Sequence, residues 1–324
     1  MSDTRFEVHV EQGTWIALCD PDEALRQDLG GQLGVDVPTL RALREIESTS
    51  RLRCVGDALV MTAPLLTGGS EAGLEADPVD LVPTGFVLLP ATLLTVHYAP
   101  YPAFAHMRAE IEAGGDSGPA AVLAHLLEDV VDRAADQLET VAEAAAQVSH
   151  TIFYTDLKRR GLKLETRLLE RTIIRLGRAS ERVSRVRSMF LSIGRMAKYV
   201  IDHCEKGGEN GRETWLDPRT RARFKAIAQD IASLDEFEVS LSARIQFLLD
   251  AATSLISIRQ NDVTKVLTVA SVVGIPPVMV VGVYGMNFHA MPELSWPWGY
   301  PFALALCAVS TVVPYVWFKL RKWV

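Results

Sequence analysis

Two long uncharged stretches fill the last sixty residues of the chain. No Lys, Arg, Asp or Glu occurs between Lys265 and Glu293. As a helix, residues 266–288 would span roughly 34 Å at about 1.5 Å per residue, enough for a bilayer core of about 30 Å. A second uncharged run follows, and tryptophans mark both of its ends, as is typical of membrane interfaces. The pattern predicts two transmembrane helices and a connecting external loop, at 266–288, 296–318 and 289–295.

The first part of the chain alternates strand patterns with helical ones. Runs of alternating or β-branched residues, typical of strands, are RFEVHV, TWIALCD, RLRCVGDALVMTAPLL, GFVLLP and TLLTVHY. A helix is expected after the second run, with Asp20 as its N-cap, Pro21 at its first position and Gly30 at its end. Residues 1–117 are therefore expected to form a cytosolic α/β domain.

From residue 118 the pattern is helical. Antiparallel cytosolic helices are predicted over 118–212, and a stalk helix over 213–265 opens with Asp217 as N-cap and Pro218 in the first turn. No Pro or Gly follows before Gly274, so the stalk is predicted to continue into the membrane as a helix near 100 Å long, at about 1.5 Å per residue. The expected fold class is an α+β membrane protein.

The distribution of charge orients the membrane segments. Arg259 and Lys265 precede the first segment and the basic tail 319–324 follows the second, whereas the loop between the segments has no Lys or Arg. Basic residues favour the cytosolic side of a membrane. Both termini are therefore predicted to be cytosolic, in a multi-pass membrane protein.

Composition and motifs exclude several function classes. The formal net charge of −7 argues against nucleic acid as a partner. Four cysteines without Cys-x-x-Cys spacing are expected to be reduced thiols. The seven histidines have no metal-ligand spacing, and the sequence contains no glycine-rich phosphate loop or convincing nucleophile–base pair. We therefore expect neither an enzyme nor a resident cofactor.

Small and polar residues recur on one face of the stalk's end and the first membrane helix. We call this face the pore stripe. Its residues are spaced three or four apart along the chain: Asn261, Thr264, Leu267, Ser271, Ile275, Val278 and Gly282. Two helices cannot enclose a channel. A pore therefore requires several copies of the chain, each contributing its first membrane helix to the pore wall. Ordinary packing between helices is the alternative explanation of the stripe.

The motif YGMNF at 284–288, followed by MPEL at 291–294, lies at the outer end of the first membrane helix. In this position, and over the whole chain, the sequence resembles the CorA family of divalent-cation channels. The resemblance implies a homopentameric funnel in the lipid bilayer of a bacterial or archaeal inner membrane. This funnel would pass Mg²⁺ passively inward, with Co²⁺ and Ni²⁺ as further candidates. It implies a selectivity filter of Gly285, Met286 and Asn287, and an external loop containing Met291, Pro292, Glu293 and Leu294. The pore stripe would line the pore, with Asp250 toward the cytosolic mouth.

The chemistry of Mg²⁺ agrees with these assignments. The ion dehydrates reluctantly, and a ring of Asn287 amide oxygens would hydrogen-bond its water shell. A ring of carboxylates would hold the ion too tightly, because conduction requires release as well as entry. Glu293 would raise the local cation concentration through its negative field. A helix C-cap is an alternative role for Asn287, compatible with the first.

One departure from the family pattern concerns regulation. The acidic stalk residues through which magnesium-gated members close are replaced here by Ala226 and Gln229, which leaves the regulatory metal site unassigned. Candidate substitutes on the stalk are Asp230, Asp235, Glu236 and Glu238. A second candidate set is the acidic stripe Glu128, Asp132, Asp136, Glu139 and Glu143, whose simpler interpretation is a solvated helix face. Two alternative functions stay open: a ZntB-like zinc transporter of the same superfamily, and a membrane-anchored pentameric sensor or scaffold without transport.

Overall fold

The computed structural model describes residues 5–45, 51–68, 80–99, 101–113, 118–154, 162–209, 216–286, 291–292, 296–321 and 323, with the backbone alone at 102–103, 162–166 and 204–209. The chain divides into two compact units, Met1–Leu249 and Asp250–Val324.

The first unit contains a six-stranded mixed sheet. Its strands are β1 Arg5–Val10, β2 Gly13–Cys19, β3 Leu52–Val55, β4 Ala58–Thr67, β5 Asp80–Leu88 and β6 Thr92–His97. Their order across the sheet is β1-β2-β6-β5-β4-β3. The pairing of β2 with β6 is parallel, and the other four pairings are antiparallel. The mixed α/β character predicted for this region is confirmed.

Helices make up most of the remaining described chain. They are α1 Glu23–Leu33, α2 Leu40–Leu43, α3 Pro102–Glu112, α4 Pro119–Phe153, α5 Leu162–Glu209, α6 Pro218–Tyr284 and α7 Gly299–Leu320. α6 is a single helix of 67 residues. Asp217 caps it as predicted: its Oδ1 accepts a hydrogen bond from the Thr220 backbone N–H (2.7 Å) and its Oδ2 accepts one from the Thr220 hydroxyl (2.8 Å).

Both faces of the sheet carry apolar side chains. On one face, Ile16, Leu18, Leu94 and Val96 form a core together with Leu29 of α1. Successive residues of a strand point to opposite faces, so the neighbours of these residues build the second core. The sheet is therefore covered on both sides, as its short apolar strands require.

Trp15 is the largest side chain of the second core and is fully buried. Its indole Nε1–H donates to the Thr95 hydroxyl across 3.1 Å. Phe6 and Phe104 meet the ring edge-on, with centroids 4.9 and 6.0 Å away. An edge-on arrangement is the one that aromatic quadrupoles favour.

The predicted ends of α1 were wrong. Asp22, not Asp20, is the N-cap, and its Oδ1 accepts from the Leu25 N–H across 2.8 Å. The backbone N–H of Asp20 instead donates to the His97 carbonyl, which ties it to β6. At the other end the helix runs through Gly30 and stops at Gly34, whose φ of 68° is left-handed and suits glycine.

Candidate functional site

Two helices in the described part of the chain are long and apolar enough to cross a bilayer: α6, through its C-terminal part, and α7. Almost none of their most apolar residues are buried within the chain. A core helix of a soluble domain would be largely buried, so these surfaces require another apolar environment.

One face of α6 packs against α7. Val269 is buried, and Val273, Pro277, Val280 and Tyr284 are half-buried. The thiol of Cys307, on α7, lies 3.9 Å from the Pro277 carbonyl oxygen. The buried or half-buried residues of α7 are mostly small, and one is a proline: Gly299, Ala303, Cys307, Ser310, Thr311, Pro314 and Phe318. Small residues allow membrane helices to approach closely.

The pore stripe lies on the opposite side of α6. At about 100° per residue, its seven members centre roughly 175° away from the face that packs on α7. All seven are exposed, including Leu267, Ile275 and Val278, whose exposed fractions are 66%, 56% and 70%. The stripe is therefore free to line a water-filled axis or to contact a neighbouring chain.

The hydroxyl of Thr264 is oriented by its own helix. Thr264 Oγ1 donates to the Gln260 carbonyl across 2.9 Å, which occupies its only proton. The lone pairs of that oxygen then remain available as acceptors. An exposed acceptor of this kind can bind the water shell of a cation.

Pro276 and Pro277 interrupt the hydrogen-bond ladder of α6 within the apolar segment. Neither has an N–H, so the carbonyls of Val272 and Val273 lose their usual donors four residues on. In a bilayer such carbonyls are tolerated where other groups or water can satisfy them. The interruption lies next to Ile275 in the pore stripe.

The helix ends just before the candidate filter. Gly285 N–H donates to the Val281 carbonyl (2.9 Å), whereas Met286 N–H donates to Val283 (3.2 Å), so the last turn tightens to a three-residue step. A Cβ on Gly285 would stand 3.1 Å from the Val281 carbonyl oxygen. Gly285 therefore allows close backbone approach, and Gly285 and Met286 are both exposed.

The remaining filter and loop predictions fall partly outside the described residues. Asn287, Glu293 and Leu294 lie there. Of the described loop residues, Met291 is half-buried and Pro292 is exposed.

Charges collect where α6 becomes apolar. Asp262 lies 3.8 Å from Arg259 and 3.6 Å from Lys265, so its carboxylate is compensated along the helix. Asp250, predicted near the cytosolic mouth, is exposed. The ion pairs of Asp262 with Arg259 and Lys265 are accessible to solvent and contribute little stability.

The stalk positions considered for regulation differ in their surroundings. Ala226, Gln229, Asp230 and Glu236 are exposed and Asp235 is half-buried. In the described part of the chain, no group of three or more His, Cys, Asp or Glu side chains is arranged to hold a metal ion.

Glu238 is the stalk acid whose environment sequence reasoning missed. It is only 1% exposed, its Oε1 accepts from the Ser242 hydroxyl (2.8 Å), and its Oε2 lies 3.7 Å from Arg187 of α5. Glu238 therefore links α5 to α6. The apolar positions Ile231, Leu241 and Ile245, at helical spacing on the same side of α6, were the available signal.

The members of the acidic stripe of α4 have different surroundings. Glu128 forms a two-point ion pair with Arg223 of α6, at 2.9 and 2.6 Å. Burial raises the pKa of Asp132, and the carboxylates of Asp129, Asp136, Glu128 and Asp230 raise it further. Like charges thus accumulate on this part of α4.

Comparison with known proteins assigns the family. The profile of the "CorA-like Mg2+ transporter protein" family matches residues 10–320. The "Magnesium transport protein CorA" of Pasteurella multocida is 29% identical over 323 residues, covering 99% of this chain and 95% of the relative. The protein with that description from Haemophilus ducreyi is 30% identical over 318 residues, covering 97% and 93%. The solved structure of the CorA magnesium transporter from Methanocaldococcus jannaschii has a TM-score of 0.69 at 18% identity, covering 97% of this chain and 92% of that one.

The fold and the two exposed apolar helices define a membrane protein with a large N-terminal domain and two C-terminal transmembrane helices. The chain belongs to the CorA-like Mg²⁺ transporter family.

Proposed function

We propose that this chain is the subunit of a homopentameric channel that conducts hydrated Mg²⁺ passively into the cell, with a ring of Asn287 side chains as its filter. Both termini then lie in the cytosol of a bacterial or archaeal cell, and the loop 289–295 faces outward. The membrane potential favours entry of a dication by about 4.6 kcal/mol per 100 mV, twice the value for a single charge. Co²⁺ and Ni²⁺ share its charge and are secondary cargo.

The observation that carries this proposal is the face of α6 opposite α7. The pore stripe is exposed along its length and alternates hydroxyl, amide and apolar side chains. Within the predicted membrane segment 266–288, a lipid-facing surface would not favour Ser271, and Asn261 and Thr264 continue the same face on the cytosolic side. Around a central axis, these residues contact water, and Leu267 and Ile275 form apolar constrictions that close the path by dewetting.

The end of α6 supports the proposed geometry of the filter. Asn287 lies five residues beyond Gly282, so an uninterrupted helix would turn it about 140° away from the stripe at about 100° per residue. The tightened turn after Tyr284 breaks that progression. In the proposed filter, Asn287 departs from the helical progression at this break and faces the axis, where its amide oxygen would hydrogen-bond the water shell of the ion.

Flux into proteoliposomes tests the proposal. Reconstituted protein should take up Mg²⁺, and Asn287→Ala should lower uptake by at least about tenfold, the loss expected when a charge-assisted hydrogen bond worth roughly 1.5–3 kcal/mol is removed. Asn287→Asp should bind the ion more tightly and release it more slowly. Gln27→Ala removes an exposed amide from α1 and should leave uptake unchanged.

Competition between metals separates the alternatives. Uptake of Zn²⁺ without Mg²⁺ would assign the chain to zinc transport. Absence of flux for both metals from a correctly assembled oligomer would support a sensor or scaffold.

A further inference from the structure

Helices α4 and α5 carry two charged strips of opposite sign and equal length. The acidic strip on α4 is the acidic stripe without Glu128, namely Asp132, Asp136, Glu139 and Glu143. The arginine strip on α5 is Arg167, Arg171, Arg175 and Arg178. Each strip recurs every three or four residues and therefore occupies one helix face. Each covers eleven residue steps, roughly 17 Å at about 1.5 Å per residue.

Both strips face outward. All four acids are exposed, as are Arg167, Arg171 and Arg178, while Arg175 is half-buried. Among the side chains that the structure describes, no member of either strip forms an ion pair with an opposite charge. The nearest ion pairs on α4 are Arg133 with Asp129 and Glu128 with Arg223, and on α5 the nearest is Arg185 with Glu181.

The two strips do not pair within one chain because different faces of α4 carry the acids and the contacts to α5. Arg175 Nη2 donates to the Gln147 side-chain oxygen (3.1 Å), and Arg182 Nη1 donates to that of Gln137 (3.2 Å). These two neutral amides occupy the face of α4 next to the arginines. At about 100° per residue, the acidic strip centres roughly a quarter turn away from them.

One member of each strip has an environment that an opposite charge nearby would improve. The raised pKa of Asp132 reflects burial and four neighbouring carboxylates. On the other strip, the Nε of Arg175 is buried and has no hydrogen-bond partner among the described residues. A strip of opposite charge and equal length would offset the like charge around Asp132 and would pair with the exposed arginines beside Arg175.

We propose that the acidic strip of one copy of this chain pairs with the arginine strip of a second copy, forming an electrostatic seam between subunits. The occupant of each strip is thus the complementary strip of an identical chain. Because each copy has one strip of each sign, the contact is head-to-tail and generates a ring when its rotation closes. The inference rests on the self-association contained in the proposed function, but not on ion conduction.

Charge reversal in the full-length protein, in detergent or nanodiscs, tests the seam. One variant carries Asp136→Arg and Glu143→Arg, and a second carries Arg171→Glu and Arg178→Glu. Exposed ion pairs contribute about 0.2–1 kcal/mol each, and 1.4 kcal/mol is about tenfold in affinity. Each variant should therefore associate about tenfold more weakly, as measured by native mass spectrometry across a dilution series, and wild-type association should weaken with added salt.

Mixing the two variants provides the decisive measurement. In the first variant the acidic strip loses its net charge and the arginine strip is unchanged, whereas in the second variant the arginine strip loses its net charge and the acidic strip is unchanged. Only a mixed complex therefore brings an intact acidic strip against an intact arginine strip, and unlike chains should associate with each other more strongly than like chains. Pairing within a chain cannot produce that result. Arg41→Glu with Arg44→Glu reverses two exposed arginines of α2 and should leave association unchanged.

Three results would overturn the seam. The first is unchanged association in both variants while wild type forms oligomers. The second is no preference for the mixed complex. The third is loss of binding to anionic lipid vesicles by the arginine variant with association intact, which would assign that strip to lipid. A wild-type chain that stays monomeric would contradict the proposed homopentamer itself.

Discussion

Gly285→Ala should weaken conduction without unfolding the protein, because it alters the end of α6. The added methyl carbon would stand 3.1 Å from the Val281 carbonyl oxygen, inside the 3.4–4 Å of an ordinary contact, so the backbone at the helix end must shift by a few tenths of an ångström. Alanine also favours helix over glycine by about 1 kcal/mol. Both effects oppose the break that the proposal requires before Asn287.

The size of the effect follows from the number of subunits. A change of about 1 kcal/mol alters the ratio of broken to continued helix about fivefold. If the break is favoured by that amount in the wild type, alanine brings the two forms to parity in each subunit. A filter that needs five correctly placed amides then forms about tenfold less often, because the five probabilities multiply.

Mg²⁺ uptake into proteoliposomes at equal oligomer content measures this effect. Gly274→Ala is the matched control, since it brings the same gain in helix propensity at a position where a Cβ meets nothing within 4 Å in the chain. Unchanged uptake in Gly285→Ala, or an equal loss in both variants, would refute the link between the helix break and the filter.

Two further predictions concern folding, measured by thermal unfolding in detergent. Asp217→Ala should cost about 1 kcal/mol by removing the α6 cap, whereas Asp217→Asn should retain most of it. Burial raises the pKa of Asp217, but hydrogen bonds from Thr220 and Arg219 outweigh burial and lower it overall. The ionised cap therefore stabilises the fold above the ordinary value of 3.8, and its contribution falls as the pH drops through the lowered pKa. Trp15→Phe should cost about 2–3 kcal/mol, because it leaves a cavity and removes the partner of the buried Thr95 hydroxyl.

Control substitutions sharpen both folding predictions. Trp298→Phe changes a side chain that is 67% exposed and should alter stability by less than about 0.5 kcal/mol. Equal losses at Trp15 and Trp298 would contradict the role given to the buried indole. A pH-independent difference between Asp217→Asn and wild type would contradict the ionised cap.

Sequence patterns predicted an element of this fold correctly where a single local interaction determines that element. The strand runs were recognisable because β-branched and apolar residues are bounded by turns, and Asp217 followed by Pro218 marked the start of α6 unambiguously. The start of α1 was ambiguous because Asp20 and Asp22 both precede an apolar run. Tertiary contact decided between them, since the Asp20 backbone N–H bonds to β6 and only Asp22 is free to cap.

Long-range packing was beyond what the sequence could specify. The order of strands depends on pairings between distant segments, such as β2 beside β6. In the sequence, Glu238 is one of several acidic residues of the stalk. In the structure, α5 covers this side chain, and Arg187 lies close to it. For the candidate site, spacing alone identified the seven stripe positions, but their orientation opposite α7 required the packing of Val269 and Pro277.

The outward orientation of the stripe has a genetic consequence. Side chains such as Ser271 and Val278 are exposed in the single chain, so a substitution there should leave each polypeptide able to fold and to enter the proposed homopentamer. In a cell that makes altered and normal copies together, most assemblies would then contain at least one altered member. Alleles at these positions should act as dominant inhibitors, whereas alleles that destroy Trp15 should be recessive.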